Sequence, residues 1–263
     1  MFKEVVALSR EKHRALRFNP RQTYQFAASE MAVPIFAGEA NLVAREYPIL
    51  FATNANSMPM ALLSLEKDGN AYVTEQGKWD ARYVPVHVRR YPFMLGDTAQ
   101  DETVEGSRAF TVMFDAAAPH LQEANGDSLF NDAGAPAPAL EKVQRVLIDL
   151  QRNSLATLKL VQKIDAAGVL QARVLEATPK GGKPFAIKGM RVVDAKKLAA
   201  LPAEVVHDLH VSGALALIHA HLISMTNLQD GQLMKGVNPP ASAHNGTDLG
   251  FLSSDGTLNL SSF

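Results

Sequence analysis

The stretch Gly77–Phe93 concentrates side chains that recognise ligands: the only Trp of the chain (Trp79), two of its five Tyr (Tyr83 and Tyr91), and Arg82, Arg89, Arg90 and His87. Planar guanidinium groups beside aromatic faces suit a carboxylate, a phosphate or a sugar, with Arg supplying the fork and Trp the platform. A second reading is structural. In it the Trp and Tyr are core, the arginines pair with acids or carbonyls, and Pro85 and Pro92 mark an edge strand. If Tyr83–Val88 is a strand, alternation sends Tyr83, Pro85, His87 and Arg89 to one face and Arg82, Val84, Val86, Val88 and Arg90 to the other.

Four histidines gather later, at positions 207, 210, 219 and 221. Neutral imidazole is a common metal ligand, so this cluster is a candidate metal site. On one continuous helix, however, His210 and His219 face opposite ways, and His207 and His221 lie roughly 21 Å apart along the axis. A compact site needs a break, which Ser212-Gly213 could supply. The alternative is an apolar core helix whose histidines hydrogen-bond to neighbouring strands. On this balance no metal and no cofactor is expected, and His221 is kept as a ligand-binding candidate beside the Trp79–Tyr91 residues. His-Glu-x-x-His, Gly-x-Ser-x-Gly, the P-loop pattern and Gly-x-Gly-x-x-Gly are absent, so catalytic residues are not assigned. Lys180-Gly181-Gly182-Lys183 reads as a turn between strands, since no helix-opening Gly-Lys-Ser/Thr follows.

The elements that must position these groups follow from periodicity. Strand character dominates residues 1–115: Val5–Leu8, Ala32–Phe36, Ile49–Ala52, Met60–Leu65, Ala71–Thr74, Tyr83–Val88 and Phe110–Phe114. Asp68-Gly69-Asn70 predicts a hairpin turn, and a short helix is expected from Gly38 to Glu46, ending before Pro48. From Pro138 the spacing turns helical, with Leu140, Val143, Val146, Leu147, Leu150, Leu155, Leu158, Val161 and Ile164 on one stripe, and Asn153-Ser154 as a candidate interruption. Gly168 caps that helix. Val169–Ala177 and Pro184–Val193 form a hairpin, Asp194 caps a short helix, and Pro202 opens a segment running to Leu228. The prediction is an α+β fold, with a mostly antiparallel sheet in the N-terminal half packed with a helix-rich C-terminal half that contains a hairpin. Residues 1–228 form one domain, composite between a strand-rich 1–115 and a helix-rich 136–228. Residues 229–263 are a Gly/Ser/Asn-rich tail expected to be mobile through Asp248, with later apolar residues able to dock or add a strand.

Composition narrows the function classes. The 263 residues are 47% hydrophobic and 20% charged, enough to bury a core without disulfides. With 26 basic and 27 acidic side chains the formal charge is −1, so no general basic field draws nucleic acid, and none is expected as partner. The absence of Cys removes thiolate chemistry but leaves the compartment open. Charges interrupt the N-terminal apolar run, which argues against a cleaved signal peptide, and Ala214–Met225 is too short and too polar to span a bilayer. A soluble, cytoplasmic protein is expected on that basis, with surface placement only by a non-Sec route.

Several blocks together resemble the bacterial SapC family: His13-x-x-Leu16-Arg17, Arg45-Glu46-Tyr47-Pro48-Ile49, Gly77-x-Trp79, Tyr83-Val84-Pro85-x-x-x-Arg89-Arg90-Tyr91-Pro92-Phe93, and Ser212-Gly213-Ala214-Leu215-x-Leu217-Ile218-x-Ala220-His221-Leu222. The resemblance covers residues 1–228. It implies an accessory protein of undefined biochemistry, of surface-layer or envelope type, and supplies no catalytic residues. His221 fits the family pattern, whereas His219 stands where an aromatic such as Tyr is familiar. The tail departs from the charged helical ending the family implies. Two functions stay open: binding a glycan, peptide or protein partner through Trp79–Phe93, or intracellular catalysis on a small sugar-, peptide- or amino-acid-like substrate with His87 or His221 moving the proton.

Overall fold

A computed structural model describes residues 1–20, 23–97, 110–177, 185–236 and 257–259. Its strands are β1 (Val5–Ala7), β2 (Arg17–Phe18), β3 (Ala32–Pro34), β4 (Ile49–Ala52), β5 (Met60–Leu62), β6 (Phe93–Asp97), β7 (Phe110–Asp115), β8 (Leu121–Gln122), β9 (Asp127–Ser128), β10 (Leu170–Ala177), β11 (Phe185–Val193) and β12 (Thr257–Asn259). Its α-helices are α1 (Ala40–Val43), α2 (Val86–Arg89), α3 (Pro138–Ala166), α4 (Ala195–Ala199), α5 (Ala203–Ser212), α6 (Ala214–Ser224) and α7 (Asn227–Asp230). Helices and sheets mix as the sequence predicts, and the fold is α+β. Among the described residues every ladder is antiparallel except β10 with β12.

Two compact units form, each drawing on both halves of the chain: residues 1–26 with 88–152, and residues 27–87 with 153–263. In the first, β1, β7 and β6 make one sheet and β8, β2 and β9 another. Alternation along β7 turns Val112 and Phe114 inward, and they meet Phe93, Leu129, Phe130, Leu140 and Leu147. Leu140 and Leu147 are the same stripe of α3 read from its spacing. Val146 is on the margin of that stripe, 43% exposed.

The second unit is built on a six-stranded sheet ordered β12, β10, β11, β4, β5, β3. Arg191 on β11 forms an ion pair with Asp165 near the end of α3 and donates to the Ala52 carbonyl at 2.8 Å, so one guanidinium holds helix and neighbouring strand. Asp194 caps α4 as expected, accepting the Lys196 and Lys197 amides at 2.9 and 3.2 Å. α5 and the helical segment that follows Gly213 cross at 89°.

Several expectations need correction. Tyr83–Val88 is not a strand: Val86–Arg89 is the helix α2. Pro85 presets the backbone dihedral at its entry, and the buried Glu39 carboxylate accepts the Val86 amide at 2.9 Å, satisfying a donor that a ladder would have used. Ala71–Thr74 contributes only a single bridge, Val73 to Trp79. The Asp68–Asn70 turn closes with the Ala71 amide on the Leu63 carbonyl at 2.8 Å, yet β5 pairs with β3 and β4, so no hairpin results. β6, which opens at Phe93 directly after Tyr91-Pro92, is a strand the sequence reading did not include. α3 runs through Asn153-Ser154 without a break. Residues 229–236, expected to belong to a mobile tail, continue as helical turns, while β12 adds a strand beside β10, one of the two outcomes the later apolar residues allowed. The Lys180–Lys183 turn and the stretch to Asp248 that was expected to be mobile lie outside the described residues, apart from 229–236.

Gly213 ends α5 at φ +86°, and a Cβ there meets nothing within 4 Å. Gly213→Ala therefore isolates a backbone cost. It is expected to destabilise the fold by about 1–2 kcal/mol, read from urea unfolding; an unchanged midpoint would show that the left-handed turn is not needed.

Candidate functional site

The segment singled out in the sequence is divided between the two units, residues 77–87 in one and 88–93 in the other. Within the second unit, Trp79 is half-buried, stacks near Tyr72 at 6.3 Å between centroids, and donates its indole N–H to the Tyr47 hydroxyl at 2.8 Å. Tyr47 in turn donates to the Tyr83 carbonyl, and the Tyr72 hydroxyl donates to the Glu46 carbonyl at 2.7 Å. Burial pushes both the Tyr47 and Tyr72 hydroxyls well above the ordinary tyrosine range, so they remain donors. The Tyr83 hydroxyl donates to Glu39 at 2.7 Å. Arg82 is exposed, with its backbone amide on the Glu46 carboxylate. His87 is half-buried in α2. Trp79 and Tyr83 are thus joined through Tyr47 in a network whose polar groups are used internally.

His221 lies elsewhere in the same unit and is fully buried. Its Nδ1 faces the Ile49 carbonyl at 2.6 Å, and its Nε2 accepts the Val193 amide at 3.0 Å. An Nε2 that accepts cannot carry the proton, so Nδ1–H donates to Ile49. The imidazole ties α6 to β4 and β11. Desolvation lowers its pKa to about 4, against an opposing contribution from the Ile49 carbonyl. The other late histidines, His207, His210 and His219, are exposed, and among the described residues no three His, Asp or Glu side chains gather at metal-binding range.

Within the first unit, Arg89, Arg90 and Tyr91 line one cleft of about 280 Å³. Its floor is the unit's own core, Phe93 and Leu147, extended by Phe18 and by Val143 of α3. Among the described residues, exposed Arg89 and Lys142 with half-buried Arg90 set three cations around it, with one carboxylate, Asp127. Arg90 sits 5.5 Å over the Phe2 ring, and burial pulls its pKa down to about 10, leaving it cationic at neutral pH. The Tyr91 ring stacks on Phe26 at 3.9 Å and meets His120 edge-on at 5.2 Å.

A buried carboxylate fixes this arrangement. Asp115 has no exposed surface and accepts the amides of Lys3 and Glu4, both at 2.9 Å, that of Ala117 at 3.1 Å, and the Tyr91 hydroxyl at 2.9 Å. Burial alone would raise its pKa; the four donors reverse the sign and hold it below the usual range. Burial, and then the bond to Asp115, push the Tyr91 hydroxyl far up. That hydroxyl is committed, so Tyr91 offers the cleft a ring face. Neither Asp115 nor Glu39 is legible locally, because their partners lie up to 112 residues away in the chain.

The family model for SapC matches residues 8–230, taking in the cleft, the Trp79 network and His221. The chain belongs to the SapC family. Comparison with curated proteins and with solved structures yields no match. Inside this SapC span the side chains that the sequence reading missed are Phe18, Asp127, Lys142 and Val143. Lys142 adjoins Val143 on α3, where the periodicity marks a buried face without showing that part of it opens to solvent.

His120 is 5% exposed, its Nδ1 has no hydrogen-bond partner among the described residues, and burial lowers its pKa to about 4, as for His221. The unfolded chain accepts both protons near pH 6.5 while the native state refuses them. Stability present above pH 6.5 is therefore lost as pH falls toward 4, by up to about 3 kcal/mol per histidine. Urea midpoints measured from pH 7.5 to 4.5 check this; a flat profile would contradict the burial of the two rings.

Proposed function

We propose that the protein is a noncatalytic SapC-family binding protein that captures an anionic ligand in the cleft of its first unit. The observation that carries this reading is the set of Arg89, Arg90 and Lys142 around a floor of Phe18, Phe93 and Val143. Cations beside an apolar surface gain from a partner that brings both a negative group and something to desolvate. The glycan, peptide or protein partner expected from the sequence is thereby narrowed to one that presents an anion. The histidines of the enzyme alternative, His87 and His221, are not in the described lining of the cleft, and His221 has both nitrogens occupied by backbone.

Envelope or surface-layer association enters the proposal from the family resemblance alone. Fractionation of cells expressing the full chain tests it, with recovery in the envelope fraction expected and exclusively cytoplasmic recovery counting against it.

Binding is tested with 1-naphthoate, an apolar ring bearing a carboxylate, and with uncharged 1-naphthalenemethanol. The acid at a hundred times its Kd should stabilise the wild type by about 2.7 kcal/mol, and added salt should weaken it. The Arg89→Glu/Lys142→Glu double variant changes exposed positions and should fold normally yet lose the effect. Equal stabilisation by the alcohol, or an unchanged response in the double variant, would remove the electrostatic basis of the reading.

A further inference from the structure

The cleft's wall restricts what can carry the anion. Among the described residues its lining contains no Ser, Thr, Asn or Gln, and the polar side chains there are ionic apart from Tyr91, whose hydroxyl is bound to Asp115. A peptide inserted there buries many backbone N–H and C=O groups, and a sugar many hydroxyls, against a described lining that is mostly apolar and offers only a few charged side chains to receive them. Each such group left unpaired opposes binding. A hydrocarbon chain carries no such groups. Its methylenes gain from the Phe18, Phe93, Val143 and Leu147 surface, while Lys142 and Arg89 stand exposed where a charged head remains hydrated.

We propose that the ligand is an anionic amphiphile, a hydrocarbon chain ending in a carboxylate or phosphate, with the chain on the α3 side of the cleft and the head at Lys142 and Arg89. This rests on the cleft being the binding site and replaces the open choice of carrier by one. The volume of about 280 Å³ holds only part of a long chain. Val146, 43% exposed and part of the lining, extends the apolar surface outward along α3, where the remainder can lie. The same chemistry has two sources, a free amphiphile and a lipid presented by a bilayer.

Titration calorimetry with octanoate, decanoate and dodecanoate below their micelle concentrations, and with dodecyl phosphate, reads the free form. Affinity is expected to rise about fourfold per buried methylene and to level off once the cleft is filled. Cosedimentation with phosphatidylglycerol vesicles against phosphatidylcholine vesicles reads the bilayer form. In whichever arm binds, Lys142→Glu should weaken binding at least tenfold, while Lys159→Glu, exposed on α3, should not; with the free amphiphiles Val146→Glu should make affinity level off at a shorter chain. Affinity independent of chain length overturns the inference. So does binding of an acidic peptide such as acetyl-Glu-Glu-Phe with none of any amphiphile or vesicle, an outcome that leaves the cleft standing as an anion site. Failure of every anion, 1-naphthoate included, overturns both readings.

Discussion

The fully buried carboxylate of Asp115 is the constraint on which the first unit depends. A charge removed from water must be matched or neutralised, and here three backbone amides and one phenol match it. The chain segments that supply those donors are thereby fixed with respect to one another: the N-terminal residues before β1, the turn after β7, and Tyr91 at the entrance to β6. Arg89 and Arg90 inherit their positions from that arrangement. Tyr91 stacks on Phe26 with its hydroxyl held down, which gives the cleft a wall instead of a mobile ring.

The second unit uses the same physics with different groups. Glu39, 5% exposed, accepts the Phe36 and Val86 amides and the Tyr83 hydroxyl, and so fixes the start of α2 from the helical turn that leads into α1. His221 performs the equivalent service between α6 and two strands, and Ser224, one helical turn on, accepts the Ile49 amide at 2.9 Å. In each case a polar side chain is committed to main-chain groups that no ladder satisfies. This explains why residues whose types suggest chemistry can have structural work only. Type alone does not separate a ligand-binding imidazole from one that completes a sheet.

What the sequence made legible follows the same division. α3, the β10–β11 hairpin and the Asp194 cap depend on neighbours within a few residues, and periodicity or cap chemistry showed them, whereas the Gly213 turn splits what the sequence read as one segment from Pro202 to Leu228. α2 was misread because Tyr83-Val84-Pro85-Val86-His87-Val88 has strand composition, and the group that overrides it, Glu39, is 47 positions away. Arg89, Arg90 and Tyr91 stood out by composition and do meet in one cleft. Phe18 and Asp127 did not, since the two-residue strands that pair them carry no period to read. The family blocks were legible because they are contiguous, and the family match bears them out.

The six-stranded sheet ends on both sides in very short strands, Ala32–Pro34 at one border and Thr257–Asn259 at the other. Proline has no amide hydrogen to offer, and three residues give an incoming chain little to zip against. The longest strands, β10 and β11, pair with each other, and on their other sides β12 covers Val174–Glu176 and β4 covers Met190 and Arg191. The sheet thus blunts its own borders against runaway strand addition between molecules, a protection that comes from topology and needs no ligand.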